Sequence, residues 1–105
     1  MPLLYAKKEV FEWLKSGQKT IDVRKGQPHR GEIAVFQSGP YSLRLKIVAR
    51  ESGKLTDVVT SDNYKFVIPT ASRLEDAIAY FCGLYGDCDG GVFTAYHVAP
   101  LKHVV

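Results

Sequence analysis

The sequence predicts a small α+β domain in which an antiparallel β-sheet closes into a barrel, flanked by two or three helices. Three observations carry that prediction. The chain has 105 residues, the size of one domain, residues 1–105, with no room for a second. Several short segments alternate apolar and polar residues, which is the period of a half-buried strand. Tight turns separate them, so strands that follow one another in sequence run antiparallel, while two other stretches carry helical spacing.

Leu3 to Ala6 is a short strand. From Lys8 to Ser16 the chain reads as a helix, with Val10, Phe11 and Leu14 on one face and Lys8, Glu12 and Lys15 elsewhere. Gly17 then supplies the left-handed residue that ends a helix. Thr20 to Arg24 alternates as a strand, Gly26 to Gly31 is turn chemistry, and Glu32 to Gln37 is a second alternating strand. Ser38-Gly39-Pro40 turns the chain back into Leu43 to Arg50, and Ser52-Gly53 ends that strand. Lys54 to Pro69 has no clean period and stays open between loop, short helix and edge strand. Ser72-Arg73-Leu74-Glu75 has the form of a capping box ahead of Ala77, Ile78, Phe81 and Cys82 at helical spacing. Gly86 stops that helix after Leu84 or Tyr85. The acidic glycine stretch from Asp87 to Gly91 is a loop, and Val92 to Ala99 is the last strand.

Composition narrows the function classes. With 46% hydrophobic and 24% charged residues the chain is globular rather than disordered. No apolar run approaches the ~20 residues that span a bilayer. Met1 to Lys8 lacks the basic-then-apolar order of a signal peptide, so a cytoplasmic protein without a membrane partner is expected. Cys82 and Cys88 match no common zinc or redox spacing and read as a buried small side chain and an incidental thiol. His29, His97 and His103 are scattered, so neither a metal nor a cofactor is expected.

The net charge of +3 is unevenly spread. Residues 1–54 carry 11 Lys and Arg against five Asp and Glu, whereas residues 55–105 carry three against six. A basic half suits a polyanion, since bound Lys and Arg displace its counterions, and it equally suits an uneven solvated surface.

The segment richest in chemistry is Gly17-Gln18-Lys19-Thr20-Ile21-Asp22-Val23-Arg24. In an extended chain Lys19, Ile21 and Val23 share one face, and Thr20, Asp22 and Arg24 the other. Ile21 and Val23 need a core, which puts Lys19 at the end of an inward row and at a barrel rim. There it either lines a cavity with a lowered pKa or caps the last carbonyls of the helix at 8–16. Spacing alone favours the cap.

This segment, followed by Gly31-Glu32-Ile33-Ala34-Val35-Phe36, resembles the signature of ASCH domains, Gly-x-Lys-x-x-Glu-x-Arg and then Gly-Asp/Glu before an apolar strand. Asp22 stands where glutamate is usual, which keeps the carboxylate on a shorter arm. The resemblance implies a PUA-like barrel with a cleft between barrel and helices, Lys19 and Arg24 near its mouth, and RNA or a nucleotide as ligand. Some small bacterial relatives look like amidohydrolases of N4-acylated cytidines that use a lysine, a threonine and a glutamate. Carried over, Lys19 matches the lysine, and the threonine position falls on Asp22 with Thr20 close by. The glutamate position falls at Thr70, with Glu75 nearby.

Two functions follow as expectations. In the first, a binding module holds RNA, a nucleotide or a modified nucleoside through Lys19, Arg24 and Asp22. Arg30, Arg44, Lys46 and Arg50 give the electrostatic approach, and Tyr41 offers an exposed stacking platform. If consecutive strands pair, those basic residues gather with Lys25 on one surface. Trp13 is read as core. In the second, Lys19 is the base of an amidohydrolase or ribonuclease, with Thr20, Asp22 or Glu75 as partners. An adaptor role for the acidic half has no motif behind it, and the sequence gives no oligomeric state.

Overall fold

The computed structural model describes residues 2–86, 88 and 90–101. Among them the chain forms five strands and four helices. In order these are β1 (Leu3–Tyr5), α1 (Lys8–Ser16), β2 (Ile21–Lys25), β3 (Ile33–Ser38), β4 (Tyr41–Gly53), α2 (Leu55–Val58), α3 (Tyr64–Val67), α4 (Leu74–Tyr85) and β5 (Phe93–Pro100). The architecture is α+β, with the sheet curled into a half-barrel. The elements read from the sequence are present, with ends moved by a residue or a few. The open stretch from Lys54 to Pro69 folds into α2 and α3, so the helices number four rather than two or three. His103 and part of the acidic loop lie outside the described residues.

Sheet order is β1-β3-β4-β5-β2. Two expectations are corrected here. The sheet is mixed, because β1 pairs with β3 in parallel, Leu3 opposite Val35. Consecutive strands do not all pair, because β2 leaves β3 and joins β5, Asp22 opposite Tyr96. The reason lies in α1: a helix follows β1 and returns the chain to the far edge of the sheet, where β2 begins. β1 and β2 are therefore the two edges of the curled sheet, facing one another across a seam.

Both faces of β5 are buried, which divides the interior in two. Phe93 and Ala95, with Ile21 and Val23 of β2, pack on residues of α2, α3 and α4 such as Val58, Val67, Ala77 and Phe81. Tyr96 and Val98 point the other way, with Phe36, Leu45 and Ile47, into a barrel interior closed by Val10 and Leu14 of α1. Trp13 packs against both clusters, as its place beside the apolar helix face suggested.

Helix ends follow the sequence with one exception. Gly17 ends α1 at φ 85°, its N–H donating to Leu14 O at 3.3 Å. Gly86 ends α4 at φ 79°. The capping box at Ser72 does not form: Arg73 is the N-cap of α4 and no side chain caps the helix. Extended Arg73 separates Ser72 from the first turn, and Ser72 instead accepts the Tyr64 hydroxyl at its carbonyl (3.3 Å). A second correction concerns the cysteines. Cys82 and Cys88 are joined as a disulfide, because the reversal after Gly86 brings their Cα atoms to 4.9 Å. Among the described residues no helix is long and apolar enough to cross a membrane.

Candidate functional site

The site forms where α1 hands the chain to β2. Trp13 O accepts the Lys19 N–H at 3.1 Å and Phe66 O accepts the Thr20 N–H at 3.1 Å, so the start of β2 is fixed from both sides. Extended backbone then sends alternate side chains to opposite faces, as the sequence requires. Neither face is solvent, however. Ile21 and Val23 enter the helix-covered core, and Asp22, opposite Tyr96, turns to the barrel side and is only 3% exposed.

Lys19 is 4% exposed. Its Nζ donates to the carbonyl oxygen of Val67 at 2.5 Å. The cap on α1 is therefore not what this side chain provides: it follows the inward row of Ile21 and Val23 toward α3. Burial drives its pKa down to about 8 from 10.5, with the Asp22 carboxylate opposing the shift and the Arg24 guanidinium adding to it.

Arg24 bridges the seam. Its Nε donates to Asp22 Oδ2 at 2.6 Å and its Nη1 to the Tyr5 carbonyl at 2.8 Å. One guanidinium thus connects the edge strands β2 and β1 and satisfies a buried carboxylate, a task its planar fork performs and a lysine cannot.

A cavity of about 250 Å³ lies along this seam. Lys19, Asp22, Val23 and Arg24 of the β2 edge form one side, and Tyr5, Lys7 and Val10 another. Ile68 and the α4 residues Tyr80, Phe81, Leu84 and Tyr85 cover it. Burial pushes the Tyr80 phenol above its usual pKa, and the Glu9 charge adds to that. The arrangement joins an aromatic wall to three basic side chains, Lys7, Lys19 and Arg24, and one carboxylate, which suits a flat ligand that carries negative charge.

Three of the residues singled out from the sequence, Lys19, Asp22 and Arg24, meet here. The others do not. Thr20 is half-buried and held by its backbone, outside the cavity lining. Glu75 is exposed in the first turn of α4, and it too stays outside the lining. Arg30, Tyr41, Arg44, Lys46 and Arg50 are exposed and none lines the cavity. Arg44, Lys46 and Arg50 lie on β4, and β5 stands between them and Arg24 and Lys25 of β2. Arg50 donates to the Gly31 carbonyl. Lys7 and the Val67 carbonyl were not anticipated. A main-chain acceptor has no sequence signal, and Lys7 reads only as a residue before a helix.

No protein-family model matches the chain, and no curated protein matches it. Among solved structures it is similar to the crystal structure of hypothetical protein PH0355, at a TM-score of 0.76 over 94% of this chain and 97% of that one. Identity between the two is 16%, so the likeness shows a shared fold and nothing of function.

Proposed function

We propose that the chain is an ASCH-type domain of PUA-like fold that binds a nucleotide, free or within an RNA strand, in the seam cavity. The observation that carries this is the convergence of Lys19, Asp22 and Arg24, the spaced residues of the motif, on one aromatic-lined cavity. In this reading Arg24, at the seam and partly exposed, meets phosphate, and Lys19 meets a polar edge of the base or sugar. Asp22 holds Arg24 in place. Tyr80 and Tyr85 supply ring surface, where base–aromatic contacts contribute ~1–3 kcal/mol each. At about 250 Å³ the cavity falls just below the usual range of ligand pockets, which starts at roughly 300 Å³, so one nucleotide at most is the unit held. The test is titration with mononucleotides and short single-stranded RNA at low and physiological salt, with the RNA checked for cleavage. Binding that weakens with salt and disappears in Arg24→Ala supports the reading. Equal binding by that variant, shown folded, sinks it.

One observation favours hydrolysis as a second reading. With a pKa near 8, about a tenth of Lys19 is unprotonated at neutral pH and able to act as a base. Asp22 is then the carboxylate in reach, since Glu75 and Thr20 lie outside the cavity lining. Turnover of N4-acetylcytidine that is lost in Lys19→Met supports it, and intact substrate after long incubation opposes it. A cytoplasmic setting belongs to the proposal only if the Cys82–Cys88 disulfide stays oxidised there, because such bonds persist mainly in oxidising compartments or in hyperthermophiles.

A further inference from the structure

The open edge of β2 carries hydrogen-bonding groups that no side-chain motif displays. In an antiparallel pair, residues alternate between those that exchange main-chain hydrogen bonds with the partner and those whose N–H and C=O point away from it. Two bonds fix the phase for β2. The Val98 N–H donates to Thr20 O at 2.9 Å, and the Gly26 N–H donates to Val92 O at 2.7 Å. Residues 20, 22, 24 and 26 therefore face β5, and Ile21, Val23 and Lys25 direct their peptide groups to the seam.

Neighbouring contacts agree with that phase. The Lys25 N–H donates to the Tyr85 hydroxyl at 3.4 Å, which shows that α4 covers the open edge there. Thr20, at the start of the strand, gives β5 only its carbonyl, and its N–H leaves the ladder for Phe66 O. Val23, two residues before Lys25, lines the cavity, and its side chain belongs to the core cluster with Ile21 and Ala95. By the phase of the ladder its main chain points to the seam along which the cavity lies, an N–H and a C=O side by side.

We infer that the Val23 main chain reads the edge of the ligand's base, donating to a ring nitrogen or carbonyl and accepting from the adjacent N–H. The chemical class selected is a planar heterocycle with a donor beside an acceptor. A buried peptide without a partner costs free energy comparable to a lost hydrogen bond, so a ligand that supplies both partners gains affinity there. Tyr80 and Tyr85 give such a ring its apolar faces, and Arg24 at the seam leaves the phosphate outside. This deepens the nucleotide reading and rests on it.

Amide hydrogen exchange on the full chain, followed residue by residue by NMR, tests the inference. The probes are AMP, GMP, CMP and UMP, with ribose 5-phosphate as the ligand that lacks a base. Without ligand, the Val23 amide should exchange faster than those of Asp22 and Arg24, which sit in the ladder. At a nucleotide concentration of about ten times its Kd, Val23 exchange should slow about tenfold, because exchange then requires the free form. Ribose 5-phosphate should leave it unchanged. A Val23 amide as slow as Asp22 in the free protein overturns the inference, as does a bound nucleotide that leaves Val23 unchanged. Either result leaves the nucleotide reading standing. No binding by any of the four nucleotides overturns the reading and this inference together.

Discussion

Lys19 donates its ammonium to the carbonyl oxygen of Val67, 48 residues further along the chain. That bond ties the start of β2 to α3, the segment whose sequence has no clean period. It also spends one of the three ammonium donors on structure and leaves the others for the cavity. A buried cation so placed is held at a cost, and that cost depends on pH.

The folded-state pKa of Lys19 is about 8, against an ordinary 10.5. Between those values the unfolded chain holds a proton that the folded chain has released, so stability rises with pH there. The penalty is full below pH 8 and gone above 10.5, and its size is on the order of 3 kcal/mol at ~1.4 kcal/mol per pKa unit. Tyr80, with its pKa raised above 10.0, makes stability fall again above that value, which sets the upper end of the useful window. Urea midpoints should rise from about pH 8 to about pH 9.5 in the wild type and stay nearly flat in Lys19→Met. Parallel curves for the two proteins would show that Lys19 titrates normally.

Removing Arg24 leaves a carboxylate that is 3% exposed without its cation and opens the contact with the Tyr5 carbonyl. Arg24→Ala should cost about 2–4 kcal/mol, at or just below the range for breaking a buried pair from one side because Arg24 is partly exposed. Arg24→Lys keeps the charge, loses the fork and should recover less than half of that. Denaturant unfolding of both variants decides the matter. An alanine variant within ~0.5 kcal/mol of wild type would mean that the seam is held by something else.

How far the sequence discloses this site depends on the kind of contact. Alternation along 19–24 gave the facing of Lys19, Ile21 and Val23, because it follows from extended backbone alone. The burial of Asp22 was not legible: it requires knowing that β2 pairs with β5 at a sheet edge and that α4 covers it. The Lys19 partner was hidden because a main-chain carbonyl on a four-residue helix has no residue type to betray it. At Ser72, local spacing suggested a cap that an extended Arg73 prevents. The disulfide was missed because Cys82 and Cys88 meet only once Gly86 turns the chain back after α4.

That disulfide links the end of α4 to the approach of β5, on either side of Tyr85, which lines the cavity. Reduction by a dithiol should lower stability by about 2 kcal/mol, the low end for a closed loop this short, and the Tm by roughly 10 °C. Thermal unfolding with and without the reductant, with thiols counted by mass, measures it. Cys82→Ser should match the reduced protein and show no further change on reduction. An unchanged Tm in fully reduced protein would mean that Gly86 and the packing of Tyr85 on Phe93 already fix this turn.

Glu75 separates a structural carboxylate from a chemical one. It is exposed in the first turn of α4, where it favours the helix N-terminus by ~0.3–1 kcal/mol. Glu75→Ala should lower stability by no more than that and leave nucleotide affinity and any N4-acetylcytidine turnover unchanged. Loss of turnover with binding retained would place Glu75 in the chemistry.

Arg44 and Lys46 lie on exposed positions of β4, divided from Arg24 by β5. If the domain holds one nucleotide of a longer strand, flanking phosphates have this second basic strip to meet, and a free mononucleotide does not reach it. Each phosphate contact on a single strand adds about 0.7 to the slope of log affinity against log salt. The double variant Arg44→Ala/Lys46→Ala should therefore bind mononucleotide as wild type does. Its RNA affinity should fall at low salt, and its salt slope should be shallower by about 1.4 for two lost contacts. An RNA slope identical to wild type would show that the strip is a solvated sheet face and that the strand leaves the seam by another route.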